Sequence, residues 1–160
     1  MSQIPSPKPK APAKKRRRPP ALGSQPEPSV GLRRQDVVGL LLEQPSLLEP
    51  GLEIYREDGK TCGVGYSTDV GEIDLLARDD AGSLVVIHVA EPGHGKELVG
   101  ELLQRIGWVR RHLGSSEAEV RGIVLLDALP DDLGYAAAAV ADTVEFKLYQ
   151  LQLTFEPVIL

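Results

Sequence analysis

An α/β domain whose mixed sheet is flanked by helices is the fold class this sequence predicts. Three observations carry that prediction. Aliphatic, β-branched runs at residues 84–89 and 121–129 have the length of strands and little polar alternation, as strands covered on both faces do. Between them, apolar residues recur at Leu98, Leu102, Ile106, Val109 and Leu113, the spacing of one helix face. The full order reads helix, three strands, helix, strand, helix, strand, and such alternation builds layered α/β folds. A chain of 160 residues suits one domain, and with 42% hydrophobic but only 4% aromatic residues its core must be mainly aliphatic.

Residues 1–32 stand apart. The stretch SPKPKAPAKKRRRPP cannot bury enough apolar surface to offset its ordering entropy. This predicts a disordered, Pro-rich basic tail followed by a domain at 33–160. RRQDVVGLLLEQPSLL then crowds Val37, Val38, Leu40, Leu41 and Leu42 together, predicting a buried helix that Pro45 ends. LEIYRE, residues 52–57, alternates as a strand, and the glycine-rich DGKTCGVGYSTDVG reads as its connection to the next.

Residues 72–78 form the second predicted strand, and DDAG, residues 79–82, turns the chain back into the run at 84–89. Pro92, Gly93 and Gly95 give a loop before the long helix, which Gly114 stops. A further helix opens at Asp131 or Asp132. VEFKLYQLQLTF, residues 144–155, alternates as one or two terminal strands.

The net charge of −5 conceals a division. Residues 1–34 carry nine Lys and Arg against Glu27, whereas residues 35–160 carry nine against 22 acids. A basic arm on an acidic body attracts either the body itself or an anionic partner. The cluster Lys14, Lys15, Arg16, Arg17 and Arg18 is the candidate nucleic-acid contact, with binding that falls as salt rises. A protein-binding tail is the competing reading. No apolar run is long enough to span a membrane. Cys62, the sole cysteine, forms no internal disulfide, so a cytoplasmic, reducing setting is expected.

The words QPSLLEPGLEI (44–54), GEIDLLARDDAGSLVVI (71–87), GELLQRIGWVRRHL (100–113), RGIVLL (121–126) and LGYAAAAV (133–140) occur in a familiar order. Together they resemble the catalytic domain of NucS-type endonucleases, within the PD-(D/E)XK nuclease superfamily. The resemblance covers roughly residues 35–155. It implies a restriction-endonuclease-like mixed sheet and a reaction using Mg²⁺ held by carboxylates. A lysine two residues after the second acid shares its strand face and stabilises charge on the phosphate.

Residue by residue, the pattern is broken. Asp74 matches the first aspartate. His88 stands where the strand acid belongs and Ala90 where the lysine belongs. Glu101 and Arg105 replace the helix Gln and Tyr. On the first helix, where relatives place a glutamate, stand Val38 and Gly39, with Asp36 the nearest acid. Strand parity sets Glu91 on the face opposite His88, which argues against it as a substitute ligand. The expectation is therefore a degenerate nuclease-like domain without catalysis or metal, acting as a nucleic-acid-associated or protein-binding module. The alternatives are an endonuclease with an altered site, using Mg²⁺ or Mn²⁺ with Asp74, His88 and Glu101, and a pure protein-interaction scaffold. If any metal binds, Asp74 and His88 are its ligands. Otherwise the two are partners in a former site, where Asp74 pairs with His88 or Arg105. His94 and His112 read as surface residues, Trp108 as core or rim, and Cys62 as a small structural residue.

Overall fold

Two aliphatic layers sandwich one sheet. The computed structural model describes residues 31–115, 119–152 and 154–159. The basic tail and its Lys14–Arg18 cluster lie outside the described residues. Helix α1 (Arg34–Glu43) ends just before Pro45, as predicted, and a 3₁₀ turn follows at Pro45–Leu47. At the start of α1, Asp36 reaches back to accept from the Arg33 backbone N–H at 3.1 Å. That satisfies one donor left over at the helix terminus.

Six strands form the sheet: β1 (Glu53–Ile54), β4 (Val64–Thr68), β5 (Gly71–Arg78), β6 (Leu84–Val89), β7 (Val120–Leu126) and β8 (Val144–Leu148). Their order is β1-β5-β6-β7-β8, and β4 also pairs with β5. The β5–β6 pair is antiparallel, whereas β6–β7 and β7–β8 are parallel. Parallel neighbours require crossovers. Helix α2 (Glu97–His112) supplies the first and the short α3 (Gly134–Ala139) lies in the second.

The long helix behaves as its periodicity predicts. Leu98, Leu102, Ile106 and Val109 are buried against the sheet, each contributing about 1.5–3 kcal/mol of burial. Its last turn holds Arg110 and Arg111, cations that suit a helix C-terminus. It packs tightly over Gly122 of β7, where an added Cβ would lie 2.7 Å from Ile106 Cδ1. Helices α2 and α3 cover one face. Helix α1 covers the other, with Val37 and Leu41 packed near Leu75, Val85, Ile87 and Ile123.

Several local readings change. Residues 52–57 are not one strand. Tyr55 interrupts it, its N–H donating to Leu76 O while its carbonyl accepts from Cys62 and Gly63. The chain then turns into a small hairpin, β2 (Arg56–Glu57) with β3 (Lys60–Thr61). Asp58 and Gly59 take positive φ at its tip, as tight hairpins require. The glycine-rich connection also contains β4, whose sheet contacts its composition disguised. Helix α1 is only partly buried, since Leu40 and Leu42 are exposed. Helix α3 begins at Gly134 with no side-chain cap, so neither Asp131 nor Asp132 opens it. Strand β7 stops at Leu126 and β8 at Leu148, short of the predicted 129 and 155.

A polar cluster secures the sheet near the start of β7. Arg121 donates to Glu49 at 3.0 Å and to Asp79 at 3.1 Å, and Lys147 lies 3.4 Å from Glu49. The Arg121 guanidinium holds the Glu49 carboxyl below its ordinary range.

Candidate functional site

Asp74 is the one buried charged residue of the described chain, 3% exposed in the middle of β5. The β5–β6 ladder runs from Arg78↔Leu84 to Leu75↔Ile87 and stops there. Beyond it the Asp74 side chain bonds across to β6, with Oδ2 accepting from the Val89 N–H at 2.8 Å. The other oxygen, Oδ1, accepts from Arg34 Nη2 at the start of α1. A buried carboxylate needs such partners, because desolvation otherwise makes its charge very costly.

His88 stands beside this pair, as strand parity predicts. Its Nδ1 lies 3.0 Å from Asp74 Oδ2. The approach is close but lacks hydrogen-bond geometry, and that nitrogen has no partner among the described residues. Burial pushes the His88 pKa down to about 4, helped by the positive charges of Arg105 and Arg34. At neutral pH the ring is uncharged, so the proximity is not an ion pair.

Ala90 is 2% exposed and belongs to the apolar cluster beneath α2. Arg105 does not reach Asp74. It donates to the backbone carbonyl of Glu72 at 2.9 Å and pairs with Glu101 at 3.4 Å, tying α2 to the start of β5. Asp36 is likewise occupied, by Arg33. His94 and His112 are exposed, and Trp108 sits at the rim, donating to Asp69 at 3.2 Å and stacking on His112. Cys62 Sγ lies 3.8 Å from the Tyr55 carbonyl, with no base beside it among the described residues.

Asp74 opens onto a cavity of about 740 Å³ between α1 and the β4–β5 edge. Arg33, Arg34, Val38, Val64, Glu72 and Glu91 are among its lining residues. Glu91 therefore faces the same space as Asp74. Strand alternation ends with β6 at Val89, so parity no longer governs a residue two positions on.

Sequence reasoning missed Arg34, counting it with the basic arm. Its one local signal was its place at the head of the helix that carries the relatives' glutamate. A hard divalent ion needs several converging oxygen ligands. Here Asp74 is bonded by the Arg34 guanidinium and has the uncharged His88 ring beside it. No group of three potential metal ligands occurs among the described residues. This donor set does not fit Mg²⁺.

A mixed sheet between two helical layers is the fold this chain shares with solved repair endonucleases. No family model matches the chain. The endonuclease NucS of Frankia alni is 33% identical over 82 residues, covering 48% of this chain and 34% of the relative. EndoMS in complex with dsDNA superposes with a TM-score of 0.59 at 19% identity, over 82% of this chain and 51% of that one. A repair endonuclease from Pyrococcus abyssi gives 0.59 at 17% identity, over 75% and 48%. The chain thus spans about a third of the curated relative and about half of the solved structures.

Proposed function

We propose that this NucS-like domain has lost metal-dependent strand cleavage. It acts as a DNA-associated module in a reducing cytoplasmic setting, drawing phosphates to Lys14–Arg18. The observation that carries the reading is the arginine on the aspartate. Arg34 supplies positive charge to Asp74 from within the chain, where a nuclease of this fold would bring a cation. His88 and Ala90 add neither the second carboxylate nor the ammonium that cleavage needs. DNA as the partner is supported by the likeness to EndoMS, whose solved complex contains dsDNA. The body carries a large excess of acids, so attraction for phosphates falls to the tail.

Two measurements test this on the full chain. The protein is incubated with single-stranded, branched and mismatched DNA in Mg²⁺ or Mn²⁺. No cutting is expected, and cutting that Asp74→Ala abolishes would overturn the loss of catalysis. Binding is then titrated against salt, with and without alanine at residues 14–18. Five lost phosphate contacts should flatten the log–log salt slope by about 4. An unchanged slope rejects the tail as the DNA contact.

A further inference from the structure

Helix α1 is apolar on two sides. Val37 and Leu41 are buried in the core, whereas Val38 and Leu42 line the cavity beside Asp74 together with Val64 and Pro92. The same cavity carries two exposed carboxylates, Glu72 and Glu91. Neither enters a salt bridge among the described residues. The two arginines of the lining are already paired, Arg33 with Asp36 and Arg34 with Asp74. The groove therefore sets uncompensated negative charge beside an apolar wall. A fitting occupant is cationic, with apolar residues next to its charges.

The chain contains such a segment. PAKKRRRPPAL, residues 12–22, sets five consecutive cations between Pro12 and the Pro19–Pro20 pair, with Leu22 beyond. Residues 1–30 as a whole hold seven Lys and Arg against Glu27. This segment joins the body at Gly31, two residues before Arg33 in the groove lining. The 13 residue steps from Arg18 to Gly31 span at most about 45 Å, ample to fold back on a groove at their own root. Tethering raises the local concentration to about the millimolar range, so contacts too weak to hold a free peptide suffice.

We propose that the groove between α1 and the β4–β5 edge is the docking site of the chain's own Lys14–Arg18 segment. The cations face Glu72 and Glu91, and the flanking prolines lie on the Val38–Leu42–Val64 wall. Phosphates compete for the same cations, so docking and DNA binding exclude one another. The competition rests on the proposed function; the docking does not.

The test uses the full chain carrying Cys62→Ser and Ala13→Cys, with a nitroxide on the new thiol, read by amide relaxation. Docking broadens amides of Gln35, Val38, Leu42, Val64 and Glu72, while those of α2 on the opposite face stay sharp. With Glu72→Gln and Glu91→Gln, both exposed and safe to change, groove broadening drops to the α2 level. Uniform broadening, or broadening untouched by the double substitution, overturns the proposal. So does broadening that appears only between spin-labelled and isotope-labelled chains in a mixture, which means a second copy is the occupant. Adding a DNA oligonucleotide should sharpen the groove signals. If DNA fails to bind while the groove is broadened, the DNA reading fails and docking stands. If DNA binds in a salt-dependent way with no groove broadening, the reverse holds.

Discussion

Removing Arg34 tests the centre of the site. The Asp74 side chain is 1% exposed and that of Arg34 is 37% exposed, so the pair is buried at one end and wet at the other. Breaking a fully buried pair by deleting one partner costs about 3–5 kcal/mol, because the remaining charge is stranded. Solvent already screens Arg34, so about half of that, 1.5–2.5 kcal/mol, is expected for Arg34→Met. Asp74→Asn should cost about 1–2 kcal/mol, since Asn can still accept from the Val89 N–H while losing the charge-assisted bond. The double variant should cost less than the two singles combined, with a coupling of about 1–2 kcal/mol. Urea unfolding at pH 7, followed by circular dichroism, gives all four corners of the cycle. A coupling near zero, or a loss under about 0.5 kcal/mol for Arg34→Met, would refute the pairing and remove the main support for a decayed site.

Other outcomes follow from named contacts. His88 has a folded pKa of about 4 against an ordinary 6.5, so the unfolded chain binds more protons between those values. Its contribution is fully present above about pH 6.5 and falls as pH drops toward 4, by about 2 kcal/mol at pH 5. Urea melts of wild type and His88→Gln at pH 7 and pH 5 check this, and equal slopes contradict it. The lowered Glu49 and Asp36 carboxyls keep their contribution above their ordinary values and lose it only in more acidic solution, so the two windows separate. Gly122→Ala should destabilise by about 1–3 kcal/mol through overpacking against α2, read from the thermal midpoint. Arg121→Met leaves Glu49 and Asp79 without their shared guanidinium and should cost about 2–4 kcal/mol, with Lys147 offsetting part. His88→Glu with Ala90→Lys installs the acid and the lysine of the nuclease pattern at those two positions. Calorimetry should detect added Mg²⁺ affinity only when Arg34→Met also frees Asp74, at some loss of stability because position 90 is core.

By itself the sequence determined what depends on local pattern. Strand β6 and helix α2 lie almost where their apolar spacing put them, because burial on one or both faces writes its own period into the chain. His88 falls beside Asp74 across the β5–β6 pair for the same reason, whereas Ala90 packs beneath α2. The tertiary structure alone decided which partners each residue meets. Alternation continues from residue 144 to 155, yet β8 ends at Leu148, because a strand lasts only while a neighbour accepts its backbone bonds. Val64–Thr68 is glycine-broken and polar, yet it becomes a strand because β5 offers it an edge. Arg34 and Asp74 lie 40 positions apart, and no periodicity links them. Their bond exists because α1 crosses the sheet where β5 and β6 separate, and a buried carboxylate must take a partner from whatever element passes there.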